Sequence, residues 1–464
     1  MTRRETSLLG NRDFVRLWSG ETISQLGSQV TLIALPLIAI KVLGATTFEV
    51  GALEAAQFLP FLLVGLPAGA IVDRRRRRPV LIAGDLGRAL LLLSVPLAHW
   101  AGWLTLGQLL VVVFFTGILT VFFDVAYQSF LPALVRREQL PDGNAKLEIS
   151  RSGAAIAGPG LAGVLVQWLT APVAVLVDAL SFVASGLFLV AIRVREPAPH
   201  GGPSETAGAA GGATESDAGG ATDTDDAAPA APPRPRLRHE IAEGLRYVLR
   251  HPHLRSIAGC TATSNLFSAV LAAVFLLYAV RELDFSAGTI GLVFMLGNIG
   301  FLAGAAVTTR VSTWLGLGPT ICWSVLLSST GAVVIALAPH TGALEWFIAG
   351  QFLTSLGSPI YNISQVSYRQ AITPMKMQGR MNATMRFMVW GTLPIGSLLG
   401  GVLGSTLGLR PTLVIAAVGG MLSVLWVALS SVRTIREIPH PDEAEEAAVL
   451  AEAAAESRYA SGPT

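Results

Sequence analysis

The chain has 464 residues, 52% hydrophobic and only 14% charged, with a formal net charge of +2. Soluble chains average about 25% charged residues, and a globule this poor in charge would expose wide apolar patches. That excludes a soluble enzyme, a nucleic-acid binder and a disordered scaffold, and the small net charge implies no bulk electrostatic partner.

A membrane-crossing helix needs about 20 mostly apolar residues. Twelve such spans are predicted, at 15–43, 49–72, 79–98, 104–127, 145–168, 172–193, 255–280, 287–309, 318–338, 343–368, 383–407 and 411–432. They are too long and too uniformly apolar for barrel strands. The first apolar run continues as a full span, so no cleaved leader is expected and it stays as the first helix. Arg3, Arg4, Arg12, Arg16, Arg74 to Arg78, the stretch 136–151, Arg310, the stretch 369–386, Arg433 and Arg436 all fall on one side. The other side holds only Lys41, Arg281 and Arg410. The positive-inside rule therefore predicts a multi-pass protein of the cell (inner) membrane with both termini cytoplasmic. Cys260 and Cys322 fall inside predicted spans and are expected to be packing residues, with no disulfide and no metal site.

Residues 196–236 are Gly, Ala, Pro, Ser, Thr and Asp without an apolar period, which predicts a disordered cytoplasmic linker. It separates a six-helix bundle at 1–195 from a second at 255–436. Between linker and second bundle, 237–254 regains helical period with Ile241, Leu245, Val248 and Leu249 on one face, which predicts an amphipathic helix on the cytoplasmic surface. Residues 437–464 form an Ala/Glu-rich cytoplasmic tail. The second span ends Gly69-Ala70-Ile71-Val72-Asp73-Arg74, and the eighth ends Gly304-Ala305-Ala306-Val307-Thr308-Thr309-Arg310. This faint repeat, six spans apart, suggests two parallel six-helix units, an arrangement of secondary transporters.

After the second span, Gly69 is followed by Asp73, Arg74, Arg77 and Arg78. This resembles the signature loop between the second and third helices of the major facilitator superfamily, with Arg76 in place of its usual glycine. The resemblance implies that Asp73 faces the N-terminal dipole of the eleventh helix and forms a cytoplasmic latch. An ordinary positive-inside loop would also carry the arginines, but not the spaced Gly69 and Asp73. In the fifth span, Gly158, Pro159 and Gly163, with Ala154 and Ala162 replacing two glycines, resemble the Gly-Pro motif of antiporters in the same superfamily. Proline removes a backbone hydrogen bond and small residues let a neighbour approach, so a kinked, closely packed helix is expected. A generic tight helix contact would use the same residues.

Glycines at 396, 400, 404 and 408, at 297, 300 and 304, and at 65 and 69 suit either a sliding interface between the halves or static packing. DFVRLWSGETISQLGSQV, DVAYQSFLPALV, DALSFVASGLFL, EGLRYVLRHPHLR and GRMNATMRF are similar to the branch of macrolide, multidrug and siderophore exporters. The fold implied is all-α, with twelve transmembrane helices in two parallel six-helix bundles.

Ionisable residues inside spans are costly and commonly functional. Glu21, Glu54 and Asp178 are candidate proton carriers, each with a structural alternative as a hydrogen-bonded carboxylate. Asp85 and Arg88, three apart near the cytoplasmic end of the third span, are expected to pair with each other or with the Arg74–Arg78 loop, and with Asp124 they are assigned to gating rather than to substrate binding. Gln25 follows Glu21 at helical spacing. The tenth span carries Gln351, Ser355, Ser358, Asn362, Gln365 and Arg369 as one polar stripe, and the seventh offers Asn265. In the implied fold these helices line the cavity, so Gln25, Asn265, Gln351, Ser355 and Asn362 are expected lining residues. Phe58, Phe61, Phe267, Tyr361 and Trp390 could give a bulky apolar ligand a surface.

No phosphate-binding loop is present, so an ion gradient is the expected energy source and no cofactor is expected. The leading expectation is a monomeric, non-enzymatic proton antiporter exporting small lipophilic molecules, with protons, substrate and the lipid bilayer as its partners and no nucleic acid. A dedicated exporter of an endogenous siderophore or antibiotic, proton-coupled uptake, and a non-transporting receptor or scaffold remain as alternatives.

Overall fold

The computed structural model describes residues 8–72, 74–194 and 237–437. Among these residues there is no strand. The helices are α1 (Arg12–Leu37, continued by a π turn at Ile38–Val42), α2 (Thr47–Val72), α3 (Arg77–Trp100), α4 (Leu106–Leu134), α5 (Leu140–Leu169) and α6 (Ala171–Ala191). After the linker come α7 (Leu237–Arg250), α8 (Pro252–Arg281), α9 (Ala287–Leu315), α10 (Leu317–Ala336), α11 (Ala343–Ala371), α12 (Met375–Leu407), α13 (Leu409–Leu422) and the short α14 (Leu425–Ala428). The predicted linker at 196–236, the tail from 438, and Asp73 lie outside the described residues.

Helix ends follow local chemistry. The Asn11 side chain accepts from the Asp13 and Phe14 amides at 3.1 and 3.2 Å, capping α1, and donates to the Leu134 carbonyl at 3.0 Å. One residue thus ties the start of α1 to the end of α4. Thr46 and Glu49 form a reciprocal cap at the start of α2. The turns into α10 and α13 use Gly316 and Gly408 at φ of 87° and 93°, which a side chain rarely tolerates.

The two halves repeat one packing pattern. In the first, α1 packs on α5 and α6, α3 on α4 and α6, and α2 on α4. In the second, α8 packs on α12 and α13, α10 on α11 and α13, and α9 on α11. Each helix is replaced by the one seven places later, and the cross-contacts α2–α12 and α5–α9 exchange under the same shift. Eleven helices among the described residues are long and apolar enough to cross a membrane. The one predicted span missing from that count is α11, whose polar stripe dilutes its hydropathy, although it holds the place of α4 in the second half. Trp103, Trp168 and Trp314, each about four-fifths exposed, stand at helix ends on the outer surface, as interfacial tryptophans do.

Among the described residues the backbones of the two halves approach most closely at one face. A Cβ on Gly51 would lie 2.6 Å from the Ser397 carbonyl oxygen, and one on Gly401 would lie 3.1 Å from the Phe48 Cα. Likewise a Cβ on Gly163 would lie 2.6 Å from the Ala287 oxygen, and one on Gly291 2.5 Å from the Pro159 oxygen. These residues sit where α2 and α9 begin and α12 and α5 finish, the face opposite the start of α1. There the Arg281 guanidinium also donates to the Ala45 carbonyl at 2.5 Å, and the Gly288 amide to Gln167 at 3.1 Å. Toward the face where α1 starts, Gly65, Gly69 and Gly153 have no atom within 4 Å of a would-be Cβ, and the halves part.

Most of the regularly spaced glycines take the static-packing alternative. Gly297, Gly300 and Gly304 do not face α5; their Cβ positions fall on Gln351, Phe352 and Leu356 of α11. Gly396 and Gly400 pack on Leu266 and Val270 of α8, so most of the glycine ladder serves packing within a half. Helix α7 lies along α12: Val248 is buried with Met381 and Met385, Gly244 abuts Arg380 and Thr384 of α12, and Glu243 pairs with Arg380 at 2.8 Å. Leu245 and Leu249 point outward.

Gly291→Val should separate α5 from α9, lowering the unfolding temperature of the purified protein and admitting water-soluble thiol reagents to the cavity from the face opposite the termini. A second expectation concerns His251, which caps α8 by accepting from the Leu254 amide at 3.4 Å. Burial, with His253 beside it, pushes His251 down to about 4. As pH falls below about 6.5 the unfolded chain takes a proton that the folded one refuses until about 4, so stability should fall across that window. His251→Asn keeps a capping acceptor and should flatten this dependence, read as unfolding temperature against pH.

Candidate substrate cavity

Between the parted halves lies a cavity with two lobes. The first-half lobe is about 740 Å³ and the second-half lobe about 570 Å³. Arg386 and Trp390 of α12 border both. The Phe61 and Trp390 rings meet across the divide with centroids 4.6 Å apart, and the Arg386 guanidinium lies 5.8 Å from the Trp390 ring.

The first-half lobe collects acidic residues from four helices: Glu21 of α1, Asp124 of α4, Glu148 of α5 and Asp178 of α6. Glu21, Ser24, Gln25 and Ser28 recur on one face of α1, and the structure turns that face inward. Gln25 Nε2 donates to Glu21 Oε1 at 2.7 Å, while Glu21 Oε2 is buried without a hydrogen-bond partner among the described residues. On α6, Asp178 is fully buried and accepts from the hydroxyls of Thr31 and, at 2.9 Å, Ser181. On α4, Asp124 opens to the cavity, and Tyr127 one turn away has a buried hydroxyl without a partner.

One arginine holds this wall together. The Arg88 guanidinium lies between the Phe123 and Phe182 rings, 4.3 and 4.2 Å from their centroids, and donates to Asp85 Oδ1 at 2.6 Å. Both side chains of the pair are almost wholly buried. The faces of two aromatic rings and a carboxylate replace the water this cation gave up. Arg88 lines the cavity, with Asp85 buried behind it. Arg78 Nε and Nη2 donate to the Leu189 and Val190 carbonyls at 3.0 and 2.6 Å, closing the C-terminus of α6. Arg77 starts α3, Arg74 is exposed, and Gly69 touches nothing on α12.

Other expected residues are dispersed. Glu54 borders neither lobe. Gly158 packs on Gln29 of α1, while Pro159 and Gly163 form the contact with α9 already described. Asn265 and Asn362 line the second lobe with Ser358, Gln365 and Arg369. Gln351 and Ser355 do not line it: Gln351 covers Gly297, and Ser355 Oγ donates to Asn298 Oδ1 at 3.3 Å, so the far half of the stripe packs on α9. Sequence reasoning missed Tyr127 and Arg386 as lining residues. For Arg386 the signal was its four-residue spacing from Asn382 and Trp390, which line the same lobe.

A two-lobed polar cavity, enclosed by two repeated helical halves that join at one face, defines a membrane transporter. The profile of the Major Facilitator Superfamily matches residues 17–390 and 257–460, and the chain belongs to that family. It is 26% identical over 399 residues to the multidrug efflux pump Tap of Mycolicibacterium fortuitum, covering 83% of this chain and 88% of that one. It is 23% identical over 181 residues to macrolide efflux protein A of Streptococcus pyogenes, covering 39% of this chain and 44% of that one. Among solved structures, a bacterial homologue of the iron transporter ferroportin in its inward-facing state superposes with a TM-score of 0.66 at 17% identity, covering 91% and 99% of the two chains. The outward-facing state of a bacterial ferroportin homologue superposes at 0.52 and 15% identity, covering 90% and 98%.

Arg88→Ala would strand Asp85 in an apolar wall, and a broken buried pair costs about 3–5 kcal/mol. A markedly lower unfolding temperature is expected, while the double variant Asp85→Leu with Arg88→Met, of similar volume, should keep most of the wild-type value.

Proposed function

We propose that this transporter is a secondary active exporter of small, largely apolar molecules, driven by proton antiport through alternating access. The observation that carries the reading is the Oε2 of Glu21, buried without a hydrogen-bond partner among the described residues, in a lobe between halves that part toward the face where α1 begins. That oxygen has room for a proton and no donor to compete for it. The basic residues clustered at that face support assigning it to the cytoplasm and the membrane to the cell's inner membrane. The higher TM-score against the inward-facing ferroportin homologue supports reading this conformation as inward-facing. The efflux functions named for the two relatives support export as the direction. We count α11 as the twelfth crossing, since it holds in the second half the place of α4.

In the cycle, substrate enters the inward-open cavity against Phe61 and Trp390 while Glu21 releases its proton to the cytoplasm. The halves then rock about the glycine contacts of α2–α12 and α5–α9. Outside, a proton returns to Glu21 as substrate leaves, and the neutral side chain permits the return to the inward-open form. Asp178, with both oxygens engaged by hydroxyls, serves as the second proton-accepting group of the same lobe. Asp73 is proposed to latch the cytoplasmic face when it closes.

The test is efflux of a panel of lipophilic dyes and macrolides from cells expressing the wild type, Glu21→Gln or Asp178→Asn at equal membrane levels. Wild-type efflux should stop on adding a proton uncoupler, and Glu21→Gln should fall to the uncoupled level. Wild-type efflux indifferent to the uncoupler would sink the antiport reading.

A further inference from the structure

The two lobes differ in charge. The first holds Glu21, Asp124, Glu148 and Asp178 against Arg88, Arg151 and the shared Arg386. The second is lined by Arg369 and Arg386 and by no acidic residue. The sequence makes that asymmetry strict, since Glu345 is the only acidic residue between positions 285 and 436, and it lies in the first turn of α11 at the opposite face.

Arg369 is 8% exposed, lines this lobe, and has an Nε without a hydrogen-bond partner. No carboxylate among the described residues pairs with it. One turn back on α11, Gln365 is 4% exposed and engages Asn362 through Nε2 at 3.3 Å, which fixes the amide beside the guanidinium. Tyr361, a further turn away, shares a hydrogen bond with Thr261 of α8 at 2.6 Å, closing that wall. Arg386 stands exposed at the mouth, over the Trp390 ring. A buried guanidinium without a counter-ion is expensive, and an arriving anion would relieve that cost with charge-assisted hydrogen bonds.

We propose that the second-half lobe is an anion subsite, and that the transported molecule carries one carboxylate-like group on an aromatic or aliphatic body. The anionic group docks on Arg369, Arg386 escorts it from the mouth, and the apolar body lies against Phe61 and Trp390. A molecule bearing several phosphates does not fit, because two arginines in a lobe of about 570 Å³ cannot neutralise it. This rests on reading the cavity as the substrate path but not on proton coupling.

The experiment is calorimetric titration of the full-length protein in phosphatidylcholine nanodiscs with naphthylacetate and with its neutral amide, at neutral pH and without a gradient. The wild type should bind the acid about tenfold or more tightly than the amide, as expected for a hydrogen bond to a charged group. Arg369→Gln should erase the preference and leave the amide affinity unchanged, Arg369→Lys should restore part of it, and Arg386→Gln should weaken it. No preference in the wild type, a preference intact in Arg369→Gln and Arg386→Gln, or no binding of either probe would each overturn the proposal. Loss of acid binding when phosphatidylglycerol is added to the nanodiscs would assign the arginines to a lipid headgroup and overturn the substrate assignment. A failed antiport test leaves this result standing, because binding is read with no proton gradient.

Discussion

The cavity exists because, among the described residues, the backbones of the two halves come closest at one face of the molecule. At Gly51 and Gly401, and at Gly163 and Gly291, a single added carbon would sit within about van der Waals contact or closer of the facing chain. Inside a bilayer there is no hydrophobic force between helices, so close packing supplies the attraction, and only small residues allow it. The same four helices separate toward the other face, where Gly65, Gly69 and Gly153 have nothing opposite them. The wedge between joined and parted ends is the cavity.

Polar chemistry is distributed over that wedge by helix. α1, α4, α5 and α6 bring carboxylates to one lobe, α11 brings a guanidinium to the other, and Arg386 of α12 stands between them. Each lobe treats its charges differently. In the first, Arg88 is shielded by two rings and spent on Asp85, so Glu21 and Asp178 are stabilised by neutral hydrogen bonders such as Gln25 and Thr31. In the second, Arg369 is buried among amides and hydroxyls.

The repeat explains why α11 departs from its neighbours. It matches α4 in packing, yet its polar stripe contributes on two sides. Its far half satisfies α9 through Ser355 and Asn298, and its near half faces the cavity through Ser358, Asn362 and Arg369. The stripe spacing is the same in both halves, so spacing could not say which polar residue met a helix and which met water. The groove along α12 likewise sets which side of α7, the one with Val248, is buried.

The sequence by itself determined the spans, the division into two halves, the family and the helices that carry charge. Those properties follow from the length of apolar runs and from motifs local to a few turns, and both are written in consecutive residues. It also singled out Glu21, Asp178 and Arg88 because any charge inside an apolar run is conspicuous. Only the tertiary structure decided that Arg88 pairs with Asp85 between Phe123 and Phe182, that Arg78 closes α6, that the glycines of α9 face α11, and that Glu54 stays outside both lobes. Those outcomes depend on the rotation of each helix about its own axis. In a helix apolar on most sides, that rotation is set by the shapes of the neighbours and leaves no periodic trace in the sequence.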